Sequence, residues 1–490
     1  MPRVLIDIAT GRLFNKGQQA KAFEELPIYS ELVSSMTTQL DYAWIYREVK
    51  KFYRYVMLSH RWDLDEPLFQ KVENISIYDL EASPANMKLR MFCSLANSHG
   101  FRWAWSDTAC VDKLSNVVLQ ESLVAMFTWY RRSSLTIVYL RGVSSEARRA
   151  GGLQRSIWNT RAWTYQEYVA AEIIQFYTED WKPYLGLTVF NHKEFPAIIS
   201  EMQLATGVSA QQMAVLRPGL DRVREKLFLA SMRQSTYVED AAYSLFGIFN
   251  VSLPVIYGEG NHAVGRLLEH ILTGSGDITI LAWTGSSSSY NSCLPMDLTV
   301  YSQLVPPHIP PPIERTEMDN MVAALRSSLP DLSLAVQLYT RLNNLPLSSV
   351  AASRLRLPCI VFHLTDLVPS SEPDPVTNLR TYRTMSSAFE EIEIKTADIL
   401  TETTDLCLVH PWIHPLLDQE FAAGVAALDE VTRALRLIVR LGQPFGALLF
   451  RPVSRVEYRR VAADGFVVVR IREGVDLVEL IEGIRTIEVQ

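Results

Sequence analysis

Residues 161–167 read RAWTYQE, and Glu167 is the one side chain among them able to act as an acid, a base or a stabilising anion. Its setting admits two roles. In the first, Thr164-x-x-Glu167 is a capping box with Thr164 as N-cap and Glu167 at the third helical position, and Trp163 and Tyr168 form the hydrophobic staple around it. In the second, the carboxylate does chemistry. Two more acids, Asp107 and Asp112, flank Cys110 in SDTACVDK. At a strand end such a pair can bind a metal or a ribose, or can simply cap turns. His60 and Cys110 share only a sheet edge, and Cys110 reads as a small apolar packer rather than a nucleophile.

Other common catalytic signatures are missing. There is no GxxxxGK[ST], no GxSxG and no HExxH, and the glycines of GEGNHAVG are wrongly spaced for a dinucleotide fingerprint. Those glycines read as turn formers. No metal site is expected.

These residues must be positioned by something, and the flanking sequence says what. YVMLS (55–59), FRWAW (101–105), LTIVYL (135–140) and EIIQFY (172–177) are short apolar runs of the kind that form buried strands. Between them, 86–99 and 116–132 carry apolar stripes at helical spacing, with Gly100 suited to end the first and Asn116 to cap the second. Alternating strands and helices imply a parallel sheet covered on both faces. Ligands of such sheets bind beyond the carboxyl ends of the strands. Ser59, His60 and Arg61 fall there, as do Asp107 to Asp112, and RAWTYQE opens the helix after the long 141–160 loop.

The rest of the chain reads as separate units. Residues 1–54 are an N-terminal segment, 55–200 the α/β domain and 201–284 a helical extension, with ITILAW (278–283) as a candidate strand. GSSSSYNS and VPPHIPPPIER mark 285–320 as a Ser/Pro-rich linker. Residues 321–490 read as a mainly β accessory domain, from the runs LPCIVFHL, FGALLF, YRRVA, FVVVRI and RTIEV. A net charge of −7 argues against nucleic acid as a partner. Five scattered cysteines without CxxC fit a reducing compartment, and no apolar run is long enough to span a membrane. A cytoplasmic protein is expected.

Three blocks, YVMLSHRW (55–62), WSDTACVDK (105–113) and RAWTYQE (161–167), in that order and spacing, resemble the signature blocks of the fungal heterokaryon-incompatibility (HET) domain. Residues 238–272 are similar to the helical extension that often follows it. Two positions depart from the pattern: Asp63 stands where a glycine usually follows the tryptophan, and Ala162 where a glycine usually follows the arginine. The resemblance implies a role in non-self recognition and programmed cell death. It also implies a flavodoxin-like sheet distantly similar to the Toll/interleukin-receptor (TIR) domain, many members of which cleave NAD with one glutamate.

Trp163 and Glu167 have the Trp-to-Glu spacing of that catalytic motif. The likeness therefore implies NAD as a substrate rather than a cofactor, with Glu167 catalytic and Ser59, Arg61, Trp62, Asp107, Asp112, Arg161 and Trp163 lining its site. A carboxylate beside the ribose stabilises the oxocarbenium-like charge of N-glycosidic cleavage, and nicotinamide leaves as a neutral molecule without a general acid. Trp62 or Trp163 can stack on a ring, and Arg61 or Arg161 can pair with the pyrophosphate. Such domains act on assembly, so a homo-oligomer or another signalling protein is the expected partner. The competing expectation is a non-catalytic assembly module in which Glu167 only caps its helix.

Overall fold

A computed structural model describes all residues except 37–39, 146–150, 304–312, 402–403, 412–427, 455 and 473. The chain folds as two compact units, Met1–Gly219 with Met232–Ile256, and Leu220–Ser231 with Tyr257–Gln490.

The first unit is built on a six-stranded mixed sheet of β1 (Val4–Asp7), β2 (Arg12–Asn15), β3 (Tyr55–His60), β4 (Trp103–Trp105), β5 (Leu135–Leu140) and β6 (Ile174–Thr178). Its order is β2-β1-β4-β3-β5-β6. The last four in that order are mutually parallel, as the unbroken apolar runs require. All six residues of β3 are buried, the mark of a central strand. Taken in chain order, the four parallel strands lie 2-1-3-4, so the winding reverses beside β3, and in open α/β sheets the carboxyl ends at such a reversal are where ligands bind.

The N-terminal segment is part of this sheet. VLID and RLFN form a hairpin that adds antiparallel to β4. Gly11 supplies the turn at φ +68°, and a Cβ there would lie 2.4 Å from Ser76 Oγ. The helix expected over 86–99 runs Pro84–Ser98, started by Ser83 and Pro84, with Gly100 beyond its end at φ +75°. Ser115, rather than Asn116, caps the helix Asn116–Arg132 by accepting from the Val118 amide.

VEDAAYSLFGIFN forms two four-residue helices, Asp240–Tyr243 and Phe246–Phe249, rather than one. The second brings Gly247 against Phe127, where an added Cβ would lie 2.2 Å from the Phe127 Cβ. Gly247→Ala should therefore destabilise the first unit by about 1–3 kcal/mol through overpacking. Chemical denaturation measures this, and a loss below about 0.5 kcal/mol would show that the contact yields.

In the second unit ITILAW forms a short 3-10 helix, Ile278–Leu281, not a strand. Residues 285–303, expected as linker, pack inside the unit: Cys293, Leu294 and Tyr301 are buried, and Asn291 donates to the Val489 carbonyl. Residues 304–312 of that stretch lie outside the described residues. Two helices, Arg315–Ser328 and Leu332–Asn343, precede a β-rich region. Its strands Arg354–His363, Cys407–Pro411, Phe445–Pro452, Glu457–Arg460 and Ile484–Val489 pair in a closed circuit. A separate three-stranded sheet, Thr365–Pro369, Arg380–Ser386 and Phe389–Thr396, was not evident from the sequence. Its strands carry exposed Glu, Lys and Arg, which hides their apolar alternation. Among the described residues, no helix is long and apolar enough to cross a membrane.

Candidate active site

Glu167 does not cap a helix. Its helix runs Ala162–Ala170 with Arg161 at the N-cap, and no side chain caps it. Thr164 lies inside the first turn, where its hydroxyl meets the carbonyls of Trp158 (2.6 Å) and Arg161 (2.9 Å). The helix starts before Thr164 because Arg161–Ala162 pairs with Gln234: the Ala162 amide donates to the Gln234 carbonyl at 2.9 Å. Arg233 adds hydrogen bonds of 3.0 Å to the Arg161 carbonyl and to Thr164 Oγ1. A short pattern such as T-x-x-E contains no information about this tertiary pairing. The staple changes too: Tyr168 packs edge-on against Trp158, 6.2 Å between ring centroids.

Released from the helix start, the Glu167 side chain meets the end of β3. Ser59 Oγ donates to Glu167 Oε2, and Trp158 Nε1 donates to Ser59 Oγ at 2.8 Å. Tyr130 also contacts the carboxyl, while its hydroxyl donates to the Leu58 carbonyl at 2.9 Å. A tyrosine has one proton to donate, so with that proton on Leu58 its oxygen suits a neutral carboxylic acid as donor.

Glu167 is 8% exposed. Burial pushes its carboxyl up to about 8, with the Asp107 charge in the same direction, against the Ser59 hydrogen bond and the Arg161 charge. The group is therefore mainly neutral at pH 7 and ionises just above it.

The first block supplies the neighbouring charges. His60 Nε2 lies 3.2 Å from Asp107 Oδ1, and Trp62 Nε1 donates to Asp107 Oδ2 at 2.7 Å. Burial alone would raise the Asp107 carboxyl, but those two hydrogen bonds and the Lys113 charge hold it well below the usual range. Asp63, in the position where a glycine is usual, accepts from Lys88 at 2.8 Å and pairs with Arg141. Lys88 is buried and also binds Glu66 and the Arg61 carbonyl. The departure from Trp-Gly thus provides an acid in a buried ion cluster.

Of the expected site residues, Ser59 contacts Glu167 directly, and Arg161 and Asp107 lie near enough to bias its charge. Trp62 meets Asp107. Arg61 is exposed, and its carbonyl accepts from Lys88. Asp112 serves a turn, accepting from Gln70 at 2.6 Å and the Leu114 amide at 3.0 Å. Trp163 is partly buried. Cys110 is buried, its thiol pushed up to about 12 by that burial, which suits packing rather than nucleophilic attack.

Trp158, Tyr130, Lys88 and Lys113 were not evident beforehand. Trp158 sits in a short 3-10 helix, Ile157–Thr160, in one core with Leu153 and Tyr184, where Tyr184 joins Glu201 (2.9 Å) to the Leu153 amide (3.0 Å). Tyr130 and Lys88 lie on helices, where one looked like core and the other like surface.

Residues 55–151 match the family model described as Heterokaryon incompatibility protein (HET). That match ends before the helix carrying Glu167. An alignment 243 positions long, covering 47% of this chain, is 34% identical to the vegetative incompatibility protein HET-E-1 of Podospora anserina, and spans 17% of that protein. The chain therefore corresponds to under a fifth of the length of this curated relative. No solved structure matches.

Proposed function

Residues 55–151 carry the HET signature, and on that premise we propose that this chain is an effector of heterokaryon incompatibility, acting in non-self recognition and programmed cell death by cleaving the nicotinamide–ribose bond of NAD. One observation supports this most: a buried carboxyl, Glu167, held by Ser59 at the carboxyl end of a central parallel strand, where the winding of the sheet reverses. The 2-1-3-4 order of the parallel strands supports the likeness to TIR domains. In this reading Glu167 is the catalytic residue, and its anion stabilises positive charge developing on the ribose.

The reading implies a pH profile. The anion is the active form, so kcat/KM for NAD rises with pH through a midpoint near 8, the free protein's Glu167 ionisation. The nicotinamide ring of NAD is cationic, which favours the anion, so the midpoint in kcat lies lower. Ser59 donates to the ionised form, hence Ser59→Ala moves the kcat/KM midpoint further upward. Profiles of wild type and Ser59→Ala that coincide would remove Ser59 from this role. Nicotinamide release from NAD by the purified chain tests the activity itself.

A second reading rests on the same burial. If Glu167 stays a neutral acid bridging Ser59 and Tyr130, the domain is an assembly module without catalysis, working as a homo-oligomer or with another signalling protein. It forms complexes on activation but releases no nicotinamide.

A further inference from the structure

We propose that Lys113 and Arg161 form, around the Trp62 indole, the subsite that takes the phosphate groups of a nucleotide substrate. This rests on the reading of Glu167 as the group acting on a nicotinamide nucleotide, and it names what holds the other part of that molecule.

Lys113 Nζ lies 3.4 Å from the centroid of the Trp62 ring, and the Arg161 guanidinium lies 5.9 Å from the same centroid. Lys113 Nζ is inaccessible to solvent and, among the described residues, has no hydrogen-bond partner. The ring face satisfies one direction of an ammonium that carries three donors. Among the described residues, neither Lys113 nor Arg161 has a carboxylate within salt-bridge distance, whereas the neighbouring acids are engaged elsewhere. Glu66 and Asp63 bind Lys88, and Asp107 accepts from Trp62 and lies against His60.

The two cations also disfavour each other. Burial is the main cause that lowers the Lys113 ammonium, and the Arg161 charge adds to it, against Asp107 and Glu66. A desolvated lysine and an arginine beside one half-exposed indole (Trp62 is 40% exposed) are a cost to the empty fold that a bound dianion relieves. Arginine pairs phosphate oxygens in a fork, lysine as a point charge, and the indole offers a face to a base or nicotinamide ring. Arg161 is also the N-cap residue of the Glu167 helix, and its charge is felt at that carboxyl. A phosphate held here therefore lies close to the candidate catalytic group. Arg61, exposed and outside this arrangement, is not part of the subsite.

The test uses the full chain and ADP-ribose, which has the pyrophosphate but no nicotinamide bond to cleave. Calorimetric titrations compare ADP-ribose, inorganic pyrophosphate and adenosine for wild type, Lys113→Met and Arg161→Gln. Expected is binding of ADP-ribose by wild type, weakened at least about tenfold in each variant, with adenosine weak and unchanged throughout. Pyrophosphate alone should bind more weakly than ADP-ribose and show the same loss. If Lys113→Met fails to fold, Arg161→Gln together with Lys113→Arg, which keeps the charge and should keep binding, makes the comparison.

Unaltered ADP-ribose affinity in the variants overturns the subsite, as does a wild type that binds neither ADP-ribose nor pyrophosphate at millimolar concentration. Binding that is lost in the variants, from a protein that cleaves no NAD, leaves the subsite standing and removes only the glycohydrolase reading. NAD cleavage with an unchanged KM in both variants does the reverse.

Discussion

Glu167→Gln lowers NAD cleavage by about 10²–10³-fold or more while the domain stays folded. The two halves of that result have one physical cause. Glutamine copies the neutral acid in shape and hydrogen bonding: its carbonyl accepts from Ser59, and its amide donates to the Tyr130 oxygen. It cannot become an anion. Stability separates the variant from a merely damaged one.

The folded-state carboxyl titrates near 8 and the unfolded one near 4.5, so between these values the folded chain keeps a proton that the unfolded chain has released. Wild-type stability therefore falls as pH rises through that window, by a total on the order of 5 kcal/mol. The glutamine variant lacks this slope. It matches wild type or exceeds it at pH 7 and is clearly the more stable at pH 9. Urea denaturation at pH 5, 7 and 9 measures the difference. A glutamine variant that loses stability equally at every pH would mean that the carboxyl makes a contact an amide cannot copy.

Lys88→Met costs about 3–5 kcal/mol of folding free energy. Lys88 is 3% exposed, and its ammonium is lowered by burial but supported by the Glu66 charge and hydrogen bond. Removing it leaves the buried Glu66 carboxylate, 5% exposed at the side chain, with the Asp63 amide (2.9 Å) and His60 Nδ1 (3.6 Å) but without the lysine charge, and takes from Asp63 one of two cations. The 61–66 loop that presents Trp62 loses its anchor with them. Adding Glu66→Gln to Lys88→Met should recover part of the loss, because the buried carboxylate that has lost its lysine no longer carries charge. Chemical denaturation of both single variants and the double variant gives the coupling. A loss under about 1 kcal/mol for Lys88→Met would show that water reaches the cluster.

What could be read from the sequence follows the range of the forces involved. The parallel strands announced themselves because a central strand buries both faces, and YVMLSH is apolar almost throughout. The convergence of Ser59 and Asp107 on one sheet edge followed from strand order alone. Glu167 was legible as important but its role was not. The capping box is a local pattern, and the helix start is set by residues 233–234, some 70 positions later.

Lys113 sits in the second block between Asp112 and Leu114, in a segment that gave no sign it would reach a tryptophan of the first block. Likewise, the serines of 285–303 suggested a linker, yet Ser292 and Asn291 hydrogen-bond to the last two residues of the chain. Side chains that satisfy distant backbone leave no periodicity to find. Exposed charge hid the strand at 389–396 by the same logic, since its outward residues are three glutamates and a lysine.

The central claim is that the Glu167 carboxylate cleaves NAD, and direct detection of free nicotinamide tests it. The full chain and its Glu167→Gln variant are incubated with NAD at pH 8.5, once dispersed and once clustered on a multivalent support, because assembly is the expected activating condition. Nicotinamide and ADP-ribose appearing in equal amounts with wild type, and neither with the variant, is the expected result. Equal release by both proteins, or none from wild type in either state, contradicts the claim and leaves Glu167 as the neutral acid that joins Ser59 to Tyr130.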